Sequence, residues 1–415
     1  MSRQKRLEGK TMTNTTINYS FRFAGFVFIA GLFGSHAVNA QQFNFDEFFK
    51  PKDKKVAAAF TNVPATMRSR MAPVLREAAM QQFGGKEKSE KAVVNALRWL
   101  KSQQNADGSW STECKPAMTG LALLCFLGHG ELPASAEFGD TVKKALAWLK
   151  TEGTKSAGRL SLSDADWRPD TSVYLHAIAT LALCEYYAMT QDEAFKEPAT
   201  TAVAHIVNGQ NPRGGWDIYY AKGLRSDVSV SIWQIQALHA ARLAKLPIPG
   251  IEESLKRSEP YLKSMQGGKG GFGYDRPGDD VDFTGIGVFG LHLTTRTKDK
   301  AEKEGIDILL KNAWVDWDGR SDKSTKNSRL DSPNLYRWFF ETQACFFAGG
   351  PAWSKWNRMF QDEIADRQSA DGSWPALQGS VYQVKPAGAG PCYRTTLCTL
   401  MLEVFYRSIP ESGAR

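Results

Sequence analysis

The chain has 415 residues, of which 42% are apolar and 23% are charged, and its formal net charge is +8. This composition excludes an intrinsically disordered or collagen-like chain, and the length is sufficient for a large hydrophobic core. The positive charge is modest and spread along the sequence, so it favours an anionic partner or surface only slightly and gives no reason to expect nucleic-acid binding.

The first 40 residues have the features of a secretory signal peptide. Basic residues precede an apolar stretch over residues 23–33, and Ala37-Val38-Asn39-Ala40 follows it. A basic region, a short apolar region and an A-x-A end are the three parts of such a signal. We therefore predict cleavage after Ala40 and a periplasmic or secreted protein. The alternative is an uncleaved membrane anchor, although a spanning helix needs roughly 20 apolar residues.

Residues 90–410 repeat one unit six times, between a predicted surface lead-in at 41–89 and a short tail at 411–415. Each unit has an amphipathic helix, a glycine-containing turn and a second, more apolar helix. The first and last copies are the clearest. Their turns contain Gln104, Gly108 and Trp110, and Gln368, Gly372 and Trp374. The middle copies are marked by Gly158, by Gly215 with Trp216, by Gly271 with Phe272, and by Gly319, so that the glycines recur every 48 to 57 residues.

The second helix of each unit is predicted to lie inside the fold. These helices fall at about residues 118–127, 171–188, 227–244, 282–293, 335–347 and 393–407. A helix that is apolar nearly all round is normally buried, whereas the first helices carry charges such as Lys143 and Lys144 on one face. A lone hairpin of this kind cannot bury its apolar face, so the units must pack against each other. We predict an all-α fold, a single (α/α)6 toroid of two concentric rings.

The glutamine, glycine and aromatic residue of each turn resemble the QW motif of the squalene–hopene cyclases. The resemblance covers about residues 90–408. Protein prenyltransferase β subunits and the thioester domains of the α2-macroglobulin type belong to the same wider superfamily. The resemblance implies a terpenoid-cyclase-like toroid in which the glutamine side chain ties one helix end to the next and the aromatic ring stacks beside it.

The chemistry of each family depends on particular residues. Asp280-Val281-Asp282-Phe283 lines up with the Asp-x-Asp-Asp motif of the cyclases, with Phe283 in place of the last aspartate. The resemblance implies that Asp282 is a proton donor with Asp280 beside it, and the alternative is that Asp282 only caps the helix that starts there. The zinc-binding histidine and Asp-x-Cys of the prenyltransferases and the Gly-Cys-Gly-Glu-Gln run of the thioester domains are missing from the sequence.

We therefore expect no metal and no cofactor. Four cysteines, Cys125, Cys184, Cys345 and Cys398, lie in apolar helical runs, where free cysteine behaves as a small buried hydrophobe. The histidines do not cluster near the cysteines, as a zinc site of the Cys/His type requires.

The inner helices run in one direction, so their N-termini converge on one mouth of the toroid, where their partial positive charge favours anionic or electron-rich ligands. Candidate cavity residues lie near these helix starts: Tyr174, His176, Ser229, Trp233, Tyr336, Trp338, Tyr393 and Arg394. Aromatic faces can stabilise cations. The alternatives are that the rings only fill the centre and that His176 is a hydrogen-bonded core residue.

Three functional hypotheses follow. The first is an exported toroid that binds an apolar, isoprenoid-like small molecule in its cavity or a protein at its rim. The second is a class II terpene-cyclase-like enzyme with Asp282 as the acid. The third is a polysaccharide-lyase-like enzyme in which Asp164, Asp166 and Asp170 hold calcium and Arg168 is the base. The alternative for that cluster is a solvated loop.

Overall fold

The computed structural model describes residues 55–161, 172–295, 299–318, 334–377 and 390–409. The predicted signal peptide, the cluster from Asp164 to Asp170, Gly319 and the predicted tail lie outside these ranges. Two 3-10 helices come first, η1 (Ala58–Phe60) and η2 (Ala65–Arg70). The α-helices that follow are α1 (Pro73–Phe83), α2 (Glu87–Ser102), α3 (Lys115–Gly128), α4 (Gly139–Lys155), α5 (Ser172–Thr190), α6 (Glu193–Gly209), α7 (Val228–Leu243), α8 (Ile251–Ser264), α9 (Val281–Thr294), α10 (Lys300–Asn312), α11 (Leu335–Ala348), α12 (Gly350–Asp366), α13 (Gly390–Leu402) and α14 (Val404–Arg407).

The helices from α2 to α13 form two layers. The even-numbered helices are outer and amphipathic: α2 buries Ala92, Ala96 and Leu100 at helical spacing, while Lys91 and Arg98 are exposed. The odd-numbered helices are inner, and thirteen of the fourteen residues of α9 are buried. The two layers that the apolar patterning predicts are therefore confirmed.

The inner helices form a closed ring. Each one contacts the next from α3 to α13, and α13 contacts α3. Outer helices pack in the grooves between inner ones; α8, for example, contacts both α7 and α9. Within the described ranges the backbone forms no strand, only isolated bridges between Gln266, Phe272, Gly278 and Asp280. The predicted (α/α)6 toroid is therefore confirmed.

Four of the turns from an outer to an inner helix share one set of hydrogen bonds. In each turn a glutamine Nε2 donates to the carbonyl four residues later and to a carbonyl of the next outer helix. The pairs are Gln104 with Gly108 (3.0 Å) and Thr141 (2.9 Å), Gln210 with Gly214 (2.8 Å) and Ser254 (2.9 Å), Gln266 with Gly270 (3.0 Å) and Ala301 (2.9 Å), and Gln368 with Gly372 (3.0 Å) and Ala92 (2.7 Å). The last bond joins the sixth outer helix to the first and so seals the ring.

The turn glycines have a left-handed backbone that favours glycine. Gly108 and Gly372 adopt φ of 92° and 94°, and a Cβ at either position would collide with the backbone of the next outer helix. In the third and fourth units the corresponding residues are Gly214 (φ 91°) and Gly270 (φ 96°). The sequence markers Gly215 and Gly271 are therefore one residue too late, because a Gly-Gly pair does not reveal which of its members turns the chain.

The segment before α2 packs against the end of the chain. Ser69 Oγ donates to the Tyr406 carbonyl (2.7 Å), and the backbone N–H of Ile409 donates to the Thr66 carbonyl (2.9 Å). Arg70 is fully buried, which differs from the surface position expected for this lead-in. Among the helices that the structure describes, none combines the length and hydropathy of a membrane span.

Candidate ligand-binding cavity

A cavity of about 430 Å³ opens at the mouth where the inner helices end. The C-terminal halves of α5, α7, α9 and α11 form most of its wall, and η2 and residues 407–409 form the rest. Its volume lies within the range of about 300–1,000 Å³ that is typical of small-molecule sites. The sequence analysis expected a cavity at the opposite mouth, where the inner helices begin.

The cavity wall combines apolar surface with unpaired polar groups. Leu181, Phe289 and Phe347 supply apolar surface. Gln236 on α7 and Gln343 on α11 also line the cavity and are only 5% and 7% exposed. The Nε2 of each has no hydrogen-bond partner among the described residues. A buried donor without a partner costs about 1–3 kcal/mol, so these amides mark positions where a ligand acceptor would be stabilised.

An arginine–glutamate–arginine cluster joins α5 in the cavity wall to η2 and α14. Glu185 Oε2 accepts a hydrogen bond from Arg70 Nη1 and Glu185 Oε1 accepts one from Arg407 Nη2, both at 2.6 Å. Burial raises the pKa of Glu185, but the charges of Arg407 and Arg70 and the hydrogen bond from Arg70 outweigh burial, so the pKa is lowered below its usual value and the carboxyl is ionised. One arginine comes from η2 and the other from α14, so the cluster holds both ends against α5.

Glu403 lies one helical turn before Arg407 and is fully buried. Burial raises its pKa well above the usual value, although Arg407 and Arg70 oppose the shift. Neither carboxyl oxygen has a hydrogen-bond partner in the described part of the chain. The buried cluster therefore contains two arginines and two glutamates, of which Glu185 is hydrogen-bonded to both arginines and Glu403 to neither.

Aromatic rings fill the centre between α7, α9 and α11. Phe340 contacts Tyr336 (centroids 4.9 Å apart), Trp233 (5.6 Å) and Phe289 (6.3 Å), and Phe289 stacks on Phe347 at the cavity wall (5.8 Å). Trp233 is only 2% exposed. These rings run from the mouth where the inner helices begin to the cavity at the other mouth.

The sequence-predicted residues Tyr174, Ser229, Trp233 and Tyr336 come together at the mouth where the inner helices begin. Tyr174 Oη and Ser229 Oγ are 2.5 Å apart, and Trp233 Nε1 donates to Tyr336 Oη (3.0 Å). Asp227, which the sequence analysis did not select, caps α7 by accepting from the Val230 N–H (2.7 Å). Burial raises the pKa of Asp227 to about 6. None of these side chains lines the described cavity.

His176 belongs to the structural framework. Its Nδ1 accepts from the Leu160 N–H (3.0 Å) and its Nε2 contacts the Ala202 carbonyl (2.9 Å) on the next outer helix. It thereby makes the link to the next outer helix that glutamine makes in four other units. Burial lowers its pKa to about 3, so the ring is neutral, with a proton on Nε2.

Three other candidate residues lie away from the cavity. Trp338 faces the outer layer and packs against Trp314 (5.8 Å) and Trp317 (6.5 Å), both in the segment after α10. Arg394 Nε donates to the Trp374 carbonyl (3.2 Å). Tyr393 is half-buried, and the pKa of Tyr336 is raised well above its usual value by burial and, to a smaller extent, by the proximity of Tyr393.

The two aspartates of the cyclase-like motif have different positions. Asp280, not Asp282, is the N-cap of α9, and its Oδ1 accepts from the Asp282 N–H (3.0 Å). Asp282 lies in the first turn of α9 and is 2% exposed. It lies on the same face of α9 as Gly285, three residues later, and the backbone of Gly285 contacts Glu341 of α11. Burial, with a smaller contribution from Asp282, raises the pKa of Glu341 to about 7 despite its bond to Arg337. Neither aspartate is among the cavity-lining residues.

The sequence analysis missed the cavity residues themselves. Gln236 and Gln343 are polar residues on largely apolar inner helices, but Gln234 and Glu341 on the same helices give the same signal, so the sequence alone does not single them out. The cluster of Arg70, Glu185 and Arg407 carries no such signal, because its members are 115 and 222 residues apart.

No protein-family model matches the chain, and no curated protein matches it. Solved structures with a similar fold include cellobiose 2-epimerase from Spirochaeta thermophila DSM 6192 (14% identity, 81% of this chain and 98% of that one, TM-score 0.55). An inactive variant of the α-1,6-mannanase GH76A of Salegentibacter sp. HEL1_6 in complex with α-1,6-mannotetrose has 10% identity over 78% of this chain and 99% of that one, with a TM-score of 0.53. A variant of type II terpene cyclase MstE from Scytonema with geranylgeranyl dihydroxybenzoate has 14% identity over 77% and 96%, with a TM-score of 0.50.

At these identities the similarity shows the fold alone. One of these neighbours is a terpene cyclase, which agrees with the fold that the resemblance in the turns implies. The other two are carbohydrate-active enzymes. One fold therefore carries unrelated chemistries, and the function of this chain has to be argued from its own site.

Proposed function

We propose that this protein binds a small molecule that has an apolar body and hydrogen-bond acceptors, in the cavity at the mouth where the inner helices end. The observation that carries the proposal is the combination of apolar walls with the buried amides of Gln236 and Gln343, whose Nε2 atoms have no partner in the part of the chain that the structure describes. A purely apolar ligand would leave both amides unpaired, and water alone would leave Phe289 and Phe347 wetted. A ligand with both characters satisfies both kinds of wall.

The packing of η2 and of the residues after α14 against the inner helices also supports a binding site. Thr66 and Met67 of η2 and Ile409 beyond α14 line the cavity, and the Ile409–Thr66 hydrogen bond holds them together. A site made of four inner helices, η2 and the residues that follow α14 is formed only in the folded toroid. A ligand that bridges these elements would stabilise the folded state by mass action.

The two enzymatic hypotheses have less support. A cyclase needs its acid to face the substrate cavity, whereas Asp282 lies on the face of α9 that packs against α11. The lyase hypothesis depends on Asp164, Asp166, Arg168 and Asp170, which lie outside the described residues. A calcium-dependent release of unsaturated oligosaccharides would be its test.

The cavity can be tested by filling it. Ala240 lines the cavity on α7 and is 3% exposed, so Ala240→Phe places a ring in the ligand volume. We expect the affinity for a neutral amphipathic probe, decan-1-ol, to fall by at least about tenfold, measured by isothermal titration calorimetry. Ala136→Phe is the matched control, because Ala136 is exposed and is not among the residues that line this cavity. Equal affinities of the Ala240→Phe variant and the control would overturn the proposal.

We further propose that the protein binds its ligand outside the cytoplasm, since residues 1–40 have the features of a secretory signal peptide. Mass spectrometry of the protein recovered from the periplasm or medium would test this. The expected mature N-terminus is Gln41, and a chain that keeps its first residues and stays in the cytoplasm would contradict the proposal.

A further inference from the structure

Two arginines lie beside the cavity. Arg70 and Arg407 are both more than nine-tenths buried, and Glu185 is the one carboxylate hydrogen-bonded to them among the residues that the structure describes. Arg407 lines the cavity, and its Nε has no hydrogen-bond partner in the described part of the chain. A buried guanidinium N–H without a partner is costly unless an acceptor approaches it, and a charged acceptor makes the stronger hydrogen bond.

We infer that the ligand is an amphipathic acid whose carboxylate lies against Arg407 and the amides of Gln236 and Gln343, and whose apolar chain packs along Phe289 and Phe347. This inference rests on the proposed function and names its ligand class. Gln236, Gln343 and Arg407 line one cavity and are each more than nine-tenths buried, and the two Nε2 atoms and the Arg407 Nε have no hydrogen-bond partner among the described residues. A carboxylate has two oxygens and about four acceptor positions, so one group can pair with several donors.

The helix ends at this mouth work against an anion, because the C-terminus of a helix carries partial negative charge. That effect is confined to the last turn. Gln236 lies seven residues before the end of α7 at Leu243, and Gln343 five residues before the end of α11 at Ala348. A carboxylate at these amides therefore lies deeper in the ring than the last turns of α7 and α11, on the wall that Arg407 shares.

The aromatic and aliphatic wall then fits the rest of the ligand. Phe289 and Phe347 are stacked 5.8 Å apart, and Leu181 and Leu293 line the same cavity. Each buried methylene contributes about 0.8 kcal/mol to transfer from water. A medium-length chain thus supplies most of the affinity, and the charged head sets its orientation.

The experiment compares decanoate with decan-1-ol by isothermal titration calorimetry on the full folded chain at neutral pH. We expect decanoate to bind at least about tenfold more tightly than the alcohol. Gln343→Glu places a carboxylate of nearly the same shape beside the head, and should weaken decanoate at least about tenfold more than it weakens decan-1-ol. Gln343→Leu, which removes the amide without adding charge, serves if the glutamate variant does not fold.

The outcomes separate this inference from the proposed function. If the acid and the alcohol bind equally in the wild type and Ala240→Phe weakens both, the cavity binds ligands and the inference about the acid is overturned. If neither probe binds, or Ala240→Phe weakens neither, the proposed function itself fails. If decanoate binds more tightly but Gln343→Glu and Gln343→Leu leave its affinity unchanged, the anion lies elsewhere, which also overturns the inference.

Discussion

Replacing Glu185 with glutamine tests the cluster that joins the chain ends to the inner ring. Glu185 accepts two charge-assisted hydrogen bonds at 2.6 Å, and its side chain is only 5% exposed. Hydrogen bonds to charged groups contribute about 1.5–3 kcal/mol each, and breaking a buried ion pair by removing one partner costs about 3–5 kcal/mol. Because glutamine keeps one acceptor oxygen, we expect Glu185→Gln to lower the free energy of unfolding by about 3 kcal/mol.

Urea unfolding followed by circular dichroism measures this loss. The folded-state pKa of Glu185 is lowered from the ordinary value of 4.5. Its contribution to stability is therefore fully present above that ordinary value and is lost as the pH falls through the lower folded-state value. The variant should lack this part of the acid dependence. The control is Glu252→Gln, because Glu252 is 62% exposed and its Arg242 contact is 3.9 Å. A loss below about 1 kcal/mol, or one equal to that of the control, would refute the reasoning.

Three further predictions concern residues that the sequence singled out. His176→Leu should lower the free energy of unfolding by about 2–4 kcal/mol, because it leaves two buried backbone groups unpaired. Since the pKa of His176 is about 3 in the folded state instead of 6.5, the wild type should lose stability as the pH falls below 6.5, whereas the variant should not. Urea midpoints that depend on pH in the same way for both proteins would contradict this prediction. Gln104→Leu removes two hydrogen bonds, and Gln368→Leu removes the corresponding two and a longer one from Asn95 Nδ2 (3.5 Å). Each is worth about 0.5–1.5 kcal/mol, so losses of similar size are expected, and hydrogen exchange should rise in α2 and α12 only for the ring-closing Gln368. Asp282→Asn should leave decan-1-ol binding unchanged, and a loss of binding or of polyene cyclisation would place Asp282 at a substrate site.

The fold was predictable because its signals are local. The helices of the inner ring are apolar on nearly every face, as the run from Val281 to Leu291 shows, and such helices have to be buried. The outer helices keep one charged face. Six such pairs at even spacing leave few arrangements other than a closed or stacked array. The register of the turns was less certain, because Gly214 and Gly215 are adjacent and only φ distinguishes them.

The site was harder to predict because it is made by contacts between distant parts of the chain. The sequence pointed to the starts of the inner helices, where tyrosines and tryptophans are dense, but Trp233 and Phe340 pack there as core. The cavity lies at the other mouth, where η2 and Ile409 form part of its wall. No pattern within a single helix shows which mouth the chain ends will occupy.

His176 shows a second limit of sequence reasoning. Its side chain bonds to a backbone carbonyl of the next outer helix, that of Ala202, and in four other units a glutamine makes the corresponding bond. The histidine does so from the inner helix, whereas the glutamines do so from the turn. A repeat search aligns residues of one type at one position. It does not recognise a bond preserved by a different side chain at a different position.

The location of a bound ligand tests the central claim most directly. A crystal of the protein grown with a decanoate brominated at its terminal carbon would locate the chain end by the anomalous signal of bromine. The account predicts a bromine peak in the cavity beside Phe289 and Phe347, with the carboxylate at Gln236 and Gln343. A peak at the opposite mouth near Tyr174 and Tyr336, or an empty cavity at saturating ligand, would contradict it.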